Sequence, residues 1–326
     1  MAYYSKKAGK FWVMILLALS ALSVNAYAVE LVFLHTNDLH LSFGPRSEDG
    51  IGGTMVLEQL IQEIRAQHEH VLLVDSGDTW QDFFSPRWSL LKGEPMVTWM
   101  NRVGYDAMAL GNHEFLYGGL DRIRKNVNQA AFPVLSANLR SFDPRRFPVP
   151  VAPYIVRELG GLNVLIIGLT TQEFVVAQIM HPYRLNDPSW AVREVLDQVD
   201  EAIDLVVVVA HIRETKAAQI IAENPEIDLF FSGHTHLALE DPIQVGTAYV
   251  FQSGWWARFL GMVRVTVDPI TKAIVNVENT LIPAVNDPET LEASQRFSDQ
   301  FQGEIDRRGL KAAITLGVLL LPLLWF

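Results

Sequence analysis

The 326-residue chain is 49% apolar and carries 37 acidic against 26 basic residues, a net charge of −11 with histidine neutral. No long basic run interrupts its interior, which argues against a nucleic-acid groove, because a phosphate backbone is held by clustered Lys and Arg. It has no cysteine, so disulfides, thiolate metal sites and cysteine nucleophiles are excluded, and any metal must rest on oxygen and imidazole donors.

The chain opens with Lys6, Lys7 and Lys10, an apolar run over 11–24 and the tetrapeptide Asn25-Ala26-Tyr27-Ala28. That order of basic, apolar and small residues is the layout of a secretory signal peptide over 1–28. It predicts an exported protein, periplasmic or extracellular, whose mature chain begins at Val29. From there strand and helix patterns alternate. Residues 31–36 form a short apolar run of strand type, and 55–65 place Leu57, Leu60, Ile61 and Ile64 at helical spacing. A strand over 71–74 leads into Asp75-Ser76-Gly77-Asp78. A helix over 90–103 precedes a strand over 107–110 that leads into Gly111-Asn112-His113-Glu114. A helix over 120–129 and a strand over 134–137 follow.

A proline-rich stretch over 143–153 breaks the pattern. Gly160-Gly161 then joins strands over 154–158 and 164–169 as a hairpin. A helix over 190–202 precedes a strand over 205–210 that ends on His211. A helix over 217–223 precedes a strand over 229–231 that runs into Gly233-His234-Thr235-His236. Strands over 248–252, 260–267 and 273–280 close the domain, taken as 29–285. Residues 286–309 are a polar linker or helix. Residues 310–326 are apolar apart from Lys311 and Thr315, at the short limit for a membrane span. This tail predicts membrane attachment; a processed sorting tail or a packed terminal helix are the alternatives.

Five strand ends thus carry Asp, Asn or His, and the carboxyl ends of strands are where α/β folds place their sites. Asp38 and His40 are two residues apart, so both can point to one side of an extended segment, and His234 and His236 repeat that spacing. Six of the nine histidines fall in these motifs: His35, His40, His113, His211, His234 and His236. His68, His70 and His181 read as solvated. Trp80, Phe83 and Tyr117 near the strand ends are core or pocket lining. A donor set of this kind suits two divalent metal ions placed about 3.5–4 Å apart, an arrangement that binds phosphoryl oxygens and activates water.

The ordered set His35-Thr36-Asn37-Asp38-Leu39-His40, Asp75-Ser76-Gly77-Asp78, Gly111-Asn112-His113-Glu114-Phe115, Ala210-His211 and Gly233-His234-Thr235-His236 resembles the calcineurin-like metallophosphoesterases, in particular their 5′-nucleotidase branch. Gln252-Ser253-Gly254 through Phe259-Leu260-Gly261 adds to the likeness, which covers about 30–285. The resemblance implies a four-layer α/β/β/α sandwich of two mixed sheets flanked by helices. It implies two divalent ions, Mn, Zn or Fe, with a hydroxide between them as nucleophile. Asp38, His40 and His236 would hold one ion, Asn112, His211 and His234 the other, and Asp78 would bridge both. His113, with Asn112 beside it, would serve catalysis by facing the phosphate and assisting the leaving group. His35 and Asn37 would support the site rather than ligate.

The sequence departs from the family's pattern in two places. Leu116 stands where many relatives have an Asp that orients the catalytic histidine, and such a carboxylate fixes the imidazole tautomer. Residues after 285 do not read as the nucleoside-binding domain of typical 5′-nucleotidases. The expected partner is therefore a small phosphorylated substrate bound mainly through its phosphate, a nucleotide among the candidates. Two other readings remain at this stage: a membrane-tethered metal-binding protein with weak or lost turnover, and a hydrolase of a non-phosphate oxyanion ester.

Overall fold

The computed structural model describes residues 28–81, 88, 90–115, 119–141, 150–173 and 183–320. Residues 1–27 of the expected signal peptide, Phe83, Leu116, Tyr117, His181 and the last six residues of the tail lie outside them. Strands and helices are numbered separately in chain order.

The first sheet is built on β1 (Val29–Thr36), whose six residues from Leu31 to Thr36 are all buried. Beside it lie, in parallel, β2 (Val71–Asp75), β3 (Ala107–Ala109) and β4 (Val134–Leu135). On its other side β13 (Phe259–Val267) pairs with it antiparallel, and β14 (Ile274–Pro283) pairs antiparallel with β13, giving the order β14-β13-β1-β2-β3-β4. Helices α1 (Thr54–Gln67), α2 (Glu94–Val103) and α3 (Gly119–Gln129) form the crossovers between the parallel strands. Parallel neighbours require such crossovers, because a tight hairpin cannot return the chain to the same end of the sheet.

The second sheet has the order β11-β12-β10-β9-β7-β6. Its centre is four parallel strands: β7 (Leu162–Thr170), β9 (Leu205–His211), β10 (Leu229–Phe231) and β12 (Ala248–Phe251). The edges β6 (Tyr154–Leu159) and β11 (Ile243–Val245) are antiparallel. Helices α4 (Pro188–Gln198) and α5 (Glu214–Glu223) cover its outer face. A ribbon of β5 (Leu139–Ser141) and β8 (Tyr183–Leu185) stands apart.

Alternation along the strands sorts the apolar residues into three cores. Val32, Leu34, Leu73 and Met108 face α1, α2 and α3. Leu31, Phe33, Leu72 and Val74 face the other way, onto Val164, Ile166, Val207 and Val209 of the second sheet. Leu165, Ile167, Val206 and Val208 face α4 and α5. Helix, sheet, sheet, helix is therefore the layer order, as the sequence resemblance implied. Strands buried on both faces read as unbroken apolar runs, which is why β1, β7 and β9 were visible as such.

Helix starts differ from the periodic pattern where a cap decides them. The helix expected from 90 begins at Glu94, after Gly93 in a left-handed conformation and with Pro95 in the first turn. The one expected from 190 begins at Pro188, because Asp187 accepts hydrogen bonds from the amides of Ser189 and Trp190. The short strands β5, β8 and β11 carry no clear pattern. The boundary placed at 309/310 is crossed by one helix, α6 (Pro288–Leu320), anchored by Phe297 in the first core. Arg308 fastens it further, to the Leu90 carbonyl and the Glu94 carboxylate. No helix among the described residues is long and apolar enough to cross a membrane.

Candidate metal centre

The carboxyl ends of β1, β2 and β3 in one sheet meet those of β9 and β10 in the other, and the loops that follow them interlock. Ser76 Oγ donates to the Phe231 carbonyl at 2.9 Å across the seam, and the Ser76 carbonyl accepts from His211 Nδ1 at 2.8 Å. Asp38, His40, Asp78, His234 and His236 all sit at positive φ, between 45° and 79°. Non-glycine residues hold that conformation only when their surroundings impose it, and such strain gathers at functional sites.

Two groups of donors result: Asp38, His40 and His236, and Asp78, His211 and His234, each with donor atoms within 4.8 Å of one another. In the first, Asp38 Oδ1 lies 3.2 Å from His236 Nε2 and 3.7 Å from His40 Nε2, and the two imidazole nitrogens are 3.4 Å apart. In the second, His211 Nε2 lies 3.0 Å from Asp78 Oδ2 and 3.2 Å from His234 Nδ1. Donors on a shared cation at bond lengths near 2.1 Å are separated by about 3.0–3.4 Å. Most of these spacings fall in that range. The groups adjoin: His211 Nε2 is also 3.9 Å from Asp38 Oδ1.

The charges in the cage favour cations. Burial pushes Asp38 up, but His211, His236 and His40 outweigh it and hold the carboxyl well below its usual range. Burial likewise raises Asp78, yet His211 and its neighbours bring it down to about 2. His211, although buried, is lifted to about 10 by Asp78 and Asp38. Asp38 Oδ1 and Asn112 Oδ1 are buried, and neither has a hydrogen-bond partner among the described residues. An orphaned buried acceptor is costly, and a cation satisfies it. Asn112 lies between His113, which is held to Asp78, and Gly111, which packs closely against it. The His113 amide donates to Asp78 Oδ1 at 2.7 Å, and a methyl group on Gly111 would lie 2.1 Å from the same oxygen. The donor set thus fits two cations.

The other expected residues fall into place. His113 Nε2 is 3.8 Å from Asp78 Oδ2, and its ring meets that of His40 edge-on at 4.8 Å. Burial draws His113 down to about 4 despite the pull of Asp78. His35 is buried against Phe231, with Gly261 leaving room for its ring: a Cβ there would sit 2.0 Å from Nε2. It belongs to neither donor group. Asn37 holds Asp38 Oδ2 at 2.7 Å and ties it to the Gly254 carbonyl and the Ser253 amide. Trp80 is core. His68 is not simply solvated; it meets Glu30 at 3.1 Å.

Sequence reasoning gave no part to four residues that build the centre. Glu114 is buried and accepts from four amides, those of Asp78, Thr79, Trp80 and Gly111, at 2.7–3.0 Å. It bolts the β2 and β3 loops together. Gln252 accepts from the Leu237 amide at 2.7 Å and donates to Ser232 Oγ at 3.0 Å, bracing the His234–His236 turn. Trp255 stacks on His236 at 4.6 Å and on Trp256 at 3.8 Å. Glu173 lies 3.3 Å from His234 Nε2. Glu114 and Gln252 stood inside quoted motifs; nothing local marks Glu173.

Residues 31–238 match the family model of the calcineurin-like phosphoesterases. A snake venom 5′-nucleotidase from Gloydius brevicauda is 35% identical over 245 residues, 68% of this chain and 39% of the relative. The chain thus spans about two fifths of the length of that relative. Among solved structures, a 5′-nucleotidase precursor from Thermus thermophilus superposes with a TM-score of 0.72 at 23% identity, covering 84% of this chain and 59% of that one. The sulfate thiohydrolase SoxB of Thermus thermophilus also gives 0.72, at 21% identity, with 85% and 61% covered. Five strand-end motifs in family order, two helix-flanked sheets and a match over most of the domain make this chain a member of the calcineurin-like phosphoesterase family.

Proposed function

We propose that the chain is an exported two-metal phosphoester hydrolase acting on a small phosphorylated substrate. The observation that carries the reading is the pair of donor groups that meet at Asp78, His211 and Asp38 across the seam of the sheets. Asp38, His40 and His236 would hold one ion, Asn112, His211 and His234 the other, and Asp78 would serve both. Bound there, two such ions would offset the phosphate charge and lower the pKa of bound water; Mn, Zn or Fe suits the donors.

The protein's own groups position and protect. Carbonyls of Gln81 and Ser76 take the Nδ1 protons of His40 and His211, at 2.9 and 2.8 Å, so that each Nε2 faces the centre. Asn37 holds the outer oxygen of Asp38, leaving Oδ1 for the centre. His113, beside the cage and lowered by burial, acts as a neutral hydrogen-bond donor to the leaving oxygen. The 5′-nucleotidase relatives make a nucleotide one candidate substrate. Residues 1–28 act as the export signal, and residues from 310 attach the exported domain, 29–285, to a membrane. A second reading, a membrane-tethered metal binder of weak turnover, draws on Leu116 at the position of the usual orienting Asp.

The test is a Mn²⁺-loaded assay with p-nitrophenyl phosphate, bis-p-nitrophenyl phosphate and AMP, comparing wild type with Asp78→Asn and His211→Ala. We expect metal-dependent turnover that falls by about 10²–10³-fold or more in both variants, the scale of losing one charge-stabilising contact in a site. Two bound metals with no turnover on any substrate would favour the metal-binder reading. Unchanged activity in both variants would sink the site assignment.

A further inference from the structure

His234 is held differently from the two buried histidines of the cage. His40 and His211 give Nδ1 to main-chain carbonyls and face inward through Nε2. In His234 the nitrogens are exchanged: Nδ1 lies 3.2 Å from His211 Nε2, and Nε2 points outward to Glu173 Oε2 at 3.3 Å. A carboxylate can only accept, so Nε2 is the donor in this contact and the inward Nδ1 keeps its lone pair for the centre. Glu173 is fixed in turn. Arg213 Nε and Nη2 both reach its Oε2, at 3.0 and 2.6 Å. Arg213 follows His211 by two residues and stands at the position just before α5, its side chain left free to turn toward Glu173. One strand end therefore supplies a cage histidine and the clamp on the carboxylate behind another.

We propose that Glu173, clamped by Arg213, is a positioning residue that fixes His234 as its Nε2–H tautomer and so sets the divalent-cation affinity of the Asp78–His211–His234 half of the centre. This role rests on the two-metal reading above. A carboxylate behind a metal-binding imidazole orients the ring and raises its basicity, and losing such a partner weakens metal binding about 10–100-fold. Were Glu173 and Arg213 only a half-exposed ion pair, their removal would cost little stability and leave cation binding untouched.

Mn²⁺ titration of the full chain, followed by the loss of the free-ion paramagnetic resonance signal, tests this. Wild type is expected to bind two Mn²⁺ per chain. Glu173→Ala should keep one at wild-type affinity and bind the other about 10–100-fold more weakly. Glu173→Gln, whose amide oxygen still accepts from Nε2, should recover part of that loss. Proton–nitrogen correlation spectra of the Zn²⁺-loaded protein should show His234 as the Nε2–H form in wild type and in Glu173→Gln. Two Mn²⁺ bound at wild-type affinity by Glu173→Ala, or equal weakening of both, would overturn the positioning role while leaving the two-metal reading in place. No Mn²⁺ bound by wild type would overturn both.

Discussion

Single residues at this centre do two jobs, presenting a donor and fixing the backbone that carries it. Asp78 offers Oδ2 to His211 and takes the His113 amide on Oδ1. Its own amide is held by Glu114, which also gathers Thr79, Trp80 and Gly111. Burial and then the charge of Asp78 push Glu114 up, against the pull of the Trp80 and Asp78 amides, and all four amides depend on its oxygens as acceptors. Glu114→Gln turns an NH₂ group toward amide donors. We expect it to cost on the order of 3 kcal/mol in urea unfolding and to weaken Mn²⁺ binding as the two loops part. Wild-type stability would refute the role given to Glu114. The spacing of two between Asp38 and His40, and between His234 and His236, made the donors legible in the sequence, because proximity along the chain is written there. The Glu173–His234 contact spans 61 residues, and only folding creates it.

Between elements, the decisive contact is the one that presses the sheets together beneath the centre. At Gly168 in β7 an added Cβ would lie 2.2 Å from Leu135 Cβ and 2.6 Å from the Leu135 carbonyl carbon in β4. The Gly168 carbonyl also accepts from the Ala137 amide at 2.6 Å. Gly168→Ala must therefore wedge the sheets apart, and overpacking of that kind costs about 1–3 kcal/mol or more. The expected result is a lower denaturant midpoint with cation binding weakened, since the donors come from both sheets. A variant as stable as wild type would show that the seam yields freely. The alternation that assigns Leu31 and Phe33 to one core and Val32 and Leu34 to another was present in the sequence only as an apolar run. Both faces being buried erased the polar partner that would have marked direction. The edge strand β11 escaped notice for the opposite reason: it is three residues long and half exposed.

Across the whole molecule, pH acts through groups buried beneath the loops. Asp75 accepts from Thr36 Oγ1, Thr79 Oγ1 and the Gly77 amide, at 2.7–2.9 Å, yet burial raises it from 3.8 to about 7. Its folded value exceeds its unfolded one, so its contribution to stability is full below about pH 4 and is lost as pH rises through 7. Asp75→Asn should flatten that slope, and the variant's stability relative to wild type should rise between pH 5 and pH 8 by on the order of 2 kcal/mol. Metal-free chemical unfolding at the two pH values measures it; parallel slopes would exclude Asp75 as the source. The sequence by itself determined the strand–helix alternation, the strand-end motifs and the family they mark, because apolar periodicity and short-range donor spacing are local properties. It did not determine that α6 runs unbroken through the expected boundary at 309/310, since helix continuation depends on what Phe297 and Arg308 pack against. Nor could it say which imidazole nitrogen faces the centre. The tertiary structure decided that, by setting carbonyls behind His40 and His211 and a carboxylate behind His234, because a histidine's tautomer is fixed by its hydrogen-bond partner and those partners lie far away along the chain.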